Sequence, residues 1–374
     1  MMFYIPWEAG WDSPALPTTS GYTEFQAPSL RRLEKPWGRI HREGVTRREL
    51  CRLLPALCLW GARDLFAASG SGAGKVFPTG PERIELGSWA SARSMRLNWQ
   101  RSAERFEVLG QGTRGNFSGE IDSRKITIRG VVCYLSYPIA LMDERLWIAT
   151  GDLAKVMMPL LFPAGRGARG PGSSLATVCV DPGHGGKDPG NRHFGLLEKE
   201  LTLKLALTLK PLLEKSRFRV VLTRKSDRYL EPEIRPVLAR KAGADILVSL
   251  HFNAVPRIGA EVRGVETYAL TPAGHPSTNE RVASTRTGYS GNRHDAANVR
   301  LAFELQRGLV RTLGAEDRGV KRQRFAVLRE APVPAVLVEG GFLSDYRESR
   351  LISQPAYLLR MAEAIRDGLL AFVG

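Results

Sequence analysis

Short apolar runs alternate with segments of helical periodicity from residue 176 to residue 373, and no other feature limits the fold of this chain so tightly. Residues 176–180, 219–223, 246–250, 265–270 and 335–338 are rich in Val, Ile and Leu and read as strands. Asp181-Pro182-Gly183 closes the first of them. Between the strands, residues 196–215 set Leu201, Leu205, Leu209, Leu212 and Leu213 on one helical face. Residues 236–242, 299–313 and 357–373 read as further helices. Strands that are apolar on both sides need cover on both sides. The expectation for residues 176–374 is therefore an α/β domain, a sheet with helices on both faces.

Upstream, residues 77–162 read as a small α+β domain. Residues 88–97 have helix-like spacing, residues 106–109, 125–128 and 131–135 alternate like strands, and residues 152–161 return to a helical pattern. Gly110, Gly112, Gly115, Gly119 and Gly130 punctuate the strands as they do in hairpins. This part holds no histidine and no clustered carboxylates, so an accessory role fits it better than catalysis. Residues 163–175 are nearly all Gly, Pro, Ala, Ser and Arg, too little apolar surface to order itself, and they mark a tether.

Residues 1–75 begin with an arm lacking periodicity. Arg47-Arg48, an apolar core at residues 53–60 and small residues at 67–74 then follow in the order of an export signal, with the arginine pair of a twin-arginine leader. Arg63 and Asp64 interrupt that pattern. A translation start near Val45 would bring it to the N-terminus; the competing reading is a disordered arm and an ordinary amphipathic helix. No run reaches the roughly 18 apolar residues of a membrane span.

Charge and cysteines bound the function less sharply. Lys and Arg number 54 against 38 Asp and Glu, a formal charge of +16. That excess favours anionic polymers, although the basic residues are scattered, as free use of arginine in a GC-rich genome would also scatter them. No helix-turn-helix, zinc finger or basic–aromatic surface argues for nucleic acid. None of Cys51, Cys58, Cys133 and Cys179 forms a CxxC pair. Cys179 falls in a buried strand, where cysteine acts as a small hydrophobe; a Cys133–Cys179 disulfide is the lesser alternative.

In open α/β sheets, sites form beyond the carboxyl ends of strands. The strand at 176–180 runs into Asp181-Pro182-Gly183-His184-Gly185-Gly186-Lys187-Asp188-Pro189-Gly190. The strand at 246–250 ends in His251-Phe252-Asn253-Ala254, and that at 335–338 in Glu339-Gly340-Gly341-Phe342. Glu198 opens the helix after the glycine-rich loop. Two imidazoles and a carboxylate make the protein half of a catalytic zinc site, which leaves Glu339 as the general base and acid. Singly, each residue has a plainer role: Glu198 at the positive end of a helix dipole, Glu339 in a salt bridge, either histidine as a satisfied polar group. His41, His193, His275 and His294 are assigned no role.

Five segments in order and spacing carry a resemblance. They are residues 180–190, Leu196-Leu197-Glu198-Lys199-Glu200, Ser249-Leu250-His251-Phe252-Asn253-Ala254, Gly264-Val265-Glu266-Thr267-Tyr268 and Leu337-Val338-Glu339-Gly340-Gly341-Phe342-Leu343-Ser344. Together with Leu222-Thr223-Arg224, Asp227, Arg235 and Asp317-Arg318-Gly319-Val320-Lys321, they make residues 176–373 resemble the N-acetylmuramoyl-L-alanine amidases. The resemblance implies zinc bound by His184, Glu198 and His251, Glu339 as catalytic acid/base, and Asn253 and Arg235 as supporting residues. It implies cleavage of the amide between N-acetylmuramic acid and L-alanine in peptidoglycan, an exported enzyme of the periplasm or envelope, and a wall-binding role open to residues 77–162. A protein activator is left open.

Arg240 and Asp345 stand where such enzymes often have Asn. Residues 271–297 are polar and read as a flexible substrate-contacting loop and not as a helix plugging the site. A zinc peptidase or deacylase acting on another amide would use the same four residues, and a non-catalytic wall binder would have lost one of them.

Overall fold

In the computed structural model, the described residues are 80–374 other than 101, 103, 111–114, 164–175 and 257–260. The N-terminal arm, the leader-like stretch and all of the tether but Pro163 lie outside them. The first part comprises β1 (Arg83–Glu85), α1 (Leu86–Ser91), β2 (Arg96–Gln100), β3 (Arg105–Leu109), β4 (Phe117–Glu120), β5 (Lys125–Ile128), β6 (Val131–Tyr134), β7 (Ala140–Met142) and β8 (Arg145–Ala149). A helical stretch follows: α2 (Thr150–Asp152), a π-helical segment (Leu153–Met157) and α3 (Met158–Leu161). The second part opens with β9 (Thr177–Pro182), the hairpin β10 (Arg192–His193) and β11 (Leu196–Leu197), α4 (Glu198–Lys215), β12 (Arg219–Leu222) and α5 (Ile234–Lys241). It continues through β13 (Ile246–Asn253), β14 (Val265–Leu270), a 3-10 turn (Ser290–His294), α6 (Asp295–Leu313) and β15 (Asp317–Gln323). It closes with α7 (Ala326–Arg329), β16 (Ala335–Phe342), α8 (Tyr346–Ile352) and α9 (Pro355–Val373).

The expected α/β architecture is present. Alternate residues of the central strands enter two separate cores, which is the period-2 consequence of burying both faces. Val178, Val180, Val248 and Val336 pack with Leu201, Leu205, Leu209 and Leu213 of α4 and with α6 and α9. Cys179, Leu247 and Leu337 face the other way, against Ala239 of α5 and Val327 and Leu328 of α7. The four α4 leucines are 2% exposed or less, and each contributes about 1.5–3 kcal/mol over remaining in water. Gly314, left-handed at φ 63°, ends α6, and the Asp345 side chain caps α8 by accepting the Glu348 N–H at 2.8 Å. A carboxylate caps a helix as well as Asn does, which accounts for Asp345 in that position.

The sheet does not stop at residue 176. Its order is β12-β9-β13-β16-β14-β15-β6-β5-β4-β3-β2, eleven strands. β2 to β6 form an antiparallel meander whose last strand runs parallel to β15 through the pair Val320–Cys133. Next to that pair, the Val132 N–H donates to Asp317 Oδ2 at 2.8 Å. Close approach is allowed because position 319 is Gly: a Cβ there would lie 2.7 Å from Val132 Cγ1. Cys133 and Cys179 are both buried and free.

The helix expected over residues 88–97 ends at Ser91. Ser94 adopts φ 56°, a left-handed turn that breaks the periodicity, and Leu97 and Trp99 then pair with Val108 and Phe106 as strand residues. No helix among the described residues is long and apolar enough to cross a membrane.

Candidate metal centre

His184, Glu198 and His251 come together at the carboxyl end of the sheet, with one ligating atom from each within 4.8 Å of the others. The loop after β9 delivers His184 in a left-handed conformation, φ 60°, followed by Gly185 at 126° and Gly186 at 57°. Such a turn at a non-glycine residue costs on the order of 1–3 kcal/mol and needs outside support. Two buried arginines supply it. Arg224 donates to the carbonyls of Pro182 (3.0 Å) and Gly183 (2.7 Å), and Arg235 to those of Pro182 (2.8 Å) and His184 (3.0 Å). Arg235 also meets the buried Asp181 at 2.8 Å. Its place is beneath the loop, as a brace.

Glu198, the first residue of α4, is almost wholly buried. Its Oε1 lies 3.0 Å from His184 Nε2 and 2.9 Å from His251 Nδ1, and accepts the Phe252 N–H at 3.1 Å. Its Oε2 accepts the Asn191 N–H at 2.8 Å. Burial works to raise the pKa of this carboxyl, but hydrogen bonds from the two imidazoles outweigh it and hold the group far below the ordinary range. Burial likewise disfavours a charged His184, yet Asp188 and Glu198 lift that ring to about 9.

Asp188 was not singled out by residue type alone. Its Oδ2 sits 2.8 Å from His184 Nδ1, which fixes the ring and turns Nε2 towards Glu198. The signal was a carboxylate four residues after a histidine inside a glycine-rich loop.

The glycines serve the ligands. A Cβ at Gly183 would lie 2.3 Å from His251 Cε1, and one at Gly190 would lie 2.5 Å from Glu198 Oε2 and 2.7 Å from His184 Cδ2. Two imidazole nitrogens and one carboxylate oxygen, buried, convergent and oriented from behind, fit the three protein ligands of a catalytic zinc.

Glu339 stands on β16 directly opposite His251 of β13 and Glu266 of β14. Its Oε2 is out of reach of solvent and has no hydrogen-bond partner among the described residues. Burial first, then the neighbouring Glu198 and Glu266 carboxylates, push its pKa well above the ordinary value against the pull of Lys321. Glu266, unassigned from sequence, is fully engaged: it accepts from Asn253 Nδ2 (2.8 Å), Tyr268 Oη (2.7 Å), Arg318 Nε (3.3 Å) and Lys321 Nζ. Asn253 therefore reaches Glu339 only through Glu266.

Residues 271–297 do not contact this site in the expected way. They leave β14 beyond Leu270, and Ala269 pairs with Val336 at the amino end of β16, the opposite end of the sheet from Glu339. Residues 277–280 are instead tied to Arg124, whose guanidinium donates to the carbonyls of Ser277, Thr278 and Glu280.

An α/β sheet bearing a two-histidine, one-carboxylate centre beside a buried acid defines the class. The family model described as N-acetylmuramoyl-L-alanine amidase matches residues 178–371, over half of the chain, and the chain belongs to that family. It is 34% identical over 225 residues to the probable N-acetylmuramoyl-L-alanine amidase AmiB of Haemophilus influenzae, covering 52% of each. It is 33% identical over 196 residues to the amidase LytC of Bacillus subtilis, covering 52% of this chain and 35% of that one. The chain thus spans about half or less of these two relatives. A solved N-acetylmuramoyl-L-alanine amidase from Clostridium difficile 630 superimposes with a TM-score of 0.46 at 34% identity, over 54% of this chain and 98% of that one.

Proposed function

We propose that the protein hydrolyses the amide between N-acetylmuramic acid and L-alanine in peptidoglycan, with zinc held by His184, Glu198 and His251. The observation that carries this reading is the convergence of that triad beside the Glu339 carboxyl, whose Oε2 is buried and without a partner among the described residues. A zinc ion bound there would supply a Lewis acid and lower the pKa of a water towards 7. The chain's residues do the rest. Asp188 and the Phe252 and Asn191 amides hold His184 and Glu198 in place. Glu339 takes a proton from the attacking water and returns it to the departing alanine nitrogen. Glu266, anchored by Asn253, Arg318 and Lys321, lies beside Glu339 and helps to raise its pKa, which makes Glu339 the stronger base in the first transfer. Arg235 and Arg224 maintain the loop that carries His184.

The setting is a cell envelope reached by export, and the role wall remodelling, daughter-cell separation or lysis, with residues 77–162 as the accessory part. Digestion of purified sacculi by the zinc-loaded protein, with products identified by mass spectrometry, tests the reading. Free stem peptides beginning with L-alanine, absent after chelation and from Glu339→Ala, are the expected products. Intact sacculi despite bound zinc, with or without added envelope extract, would overturn the assignment; cleavage only with extract would identify a requirement for an activator.

A further inference from the structure

The register of the sheet places the catalytic residues at one end of a much longer row. In-register partners on neighbouring strands share a face. His251, Glu339 and Glu266 are such partners on β13, β16 and β14. Glu266 then falls at an irregularity of β15, between the pairs Val265–Asp317 and Thr267–Val320, where Arg318 Nε reaches it at 3.3 Å. Gly319 abuts Val132 of β6. From there the row is unbroken: Val132 pairs with Thr127, Thr127 with Ser118, Ser118 with Glu107 and Glu107 with Asn98.

The residues between these, such as Cys133, Ile126, Ile128, Phe106 and Val108, point to the other face and are buried. Glu107 is exposed and Val132, Thr127, Ser118 and Asn98 are half-buried, so this face is open to solvent. From β16 to β2 the row crosses seven strand spacings, about 34 Å at about 4.8 Å each.

Its chemistry is specific. Hydroxyl, carboxamide and carboxylate groups dominate, with Lys125 and Tyr134 paired alongside. None of the exposed large hydrophobic side chains of the described residues lies on β2 to β6. A protein partner would be expected to find aromatic or aliphatic anchors there. Short hydrogen-bonding side chains on an open sheet face suit the hydroxyls and amides of a polysaccharide, and the nearby Lys125 and Arg96 suit its anionic stems.

We infer that this open face of β2 to β6 is a binding track for the glycan strand of the substrate, continuous with the metal centre, so that the enzyme acts on polymer in preference to short fragments. The inference rests on the amidase reading above, and the test separates the two. Full-length protein and the variant Ser118→Trp/Thr127→Trp are compared on sacculi and on a soluble disaccharide–peptide monomer. On sacculi, kcat/KM is expected to fall about tenfold, the loss of one or two hydrogen-bonding subsites, with the monomer value held within about twofold. Equal loss on both substrates, or none on sacculi, overturns the track.

A readout independent of turnover keeps the two readings apart. Sedimentation of the Glu339→Gln protein with sacculi should weaken when the two tryptophans are added, even if wild-type protein cuts neither substrate; unchanged sedimentation overturns the inference. Asn98→Ala/Glu107→Ala, which trims one half-buried and one exposed side chain and adds no bulk, serves where the tryptophans disturb the fold.

Discussion

Glu339 stands beside His251 in the sheet while Asp188 holds the His184 ring, and substituting them should separate chemistry from metal binding. Glu339→Gln keeps shape and removes the titrating group; kcat should drop on the order of 10²–10⁴-fold, while zinc content measured by mass spectrometry stays at the wild-type ratio. Asp188→Asn should do the reverse. Losing the partner of His184 Nδ1 is expected to weaken zinc about 10–100-fold, read by competition with a chelating dye. In metal-free protein, His184 has a folded pKa of about 9 against an ordinary 6.5. A raised pKa gives stability that is fully present below the unfolded value and lost as pH rises through the folded one. Thermal midpoints of chelated protein should therefore fall between pH 6.5 and about pH 9, and a flat profile there would remove His184 from the argument. The convergence of His184, Glu198 and His251 was legible because chemistry at strand ends restricts residue type so strongly. Asp188 shows only the hint of its place four residues after His184, and Glu266 none, because a carboxylate's role as a partner of another side chain is set mostly by three-dimensional neighbours.

Among the elements, the strands of the α/β half are readable wherever both faces are apolar, as in β9, β13 and β16. β15 is not. Asp317-Arg318-Gly319-Val320-Lys321-Arg322-Gln323 offers one aliphatic residue, yet it lies in the interior of the sheet. Its polar side chains are absorbed by specific partners: Lys321 by Glu266, and Arg322, 2% exposed, by the carbonyls of Leu270 (3.2 Å) and Lys155 (3.0 Å). Arg322→Ala should leave both carbonyls without that donor and destabilise the protein by about 2–4 kcal/mol, measurable by denaturant unfolding. The over-long helix expected at residues 88–97 fails for a related reason: Leu97 and Trp99 fit a helical period and a strand period equally, and only pairing with β3 decides.

For the molecule as a whole, the larger of the two hydrophobic clusters runs from Leu86 to Phe372 and includes Cys133, Val320 and Leu309. Residues on either side of 163–175 share it. Calorimetry of the full chain should accordingly show one cooperative transition over the described residues, and two well-separated transitions would contradict the shared core. A strand at the margin of a sheet offers unpaired amides and carbonyls to other chains, and proteins protect such margins with charge. β15 carries that kind of composition although β6 lies against it. Were residues 80–162 removed, β15 would become the margin and Val320 would lose its neighbour Cys133. The meander thus moves the border outward to β2, where Arg96 and Asn98 stand, and without it the charged side chains of β15 would be left to keep other chains off the new margin.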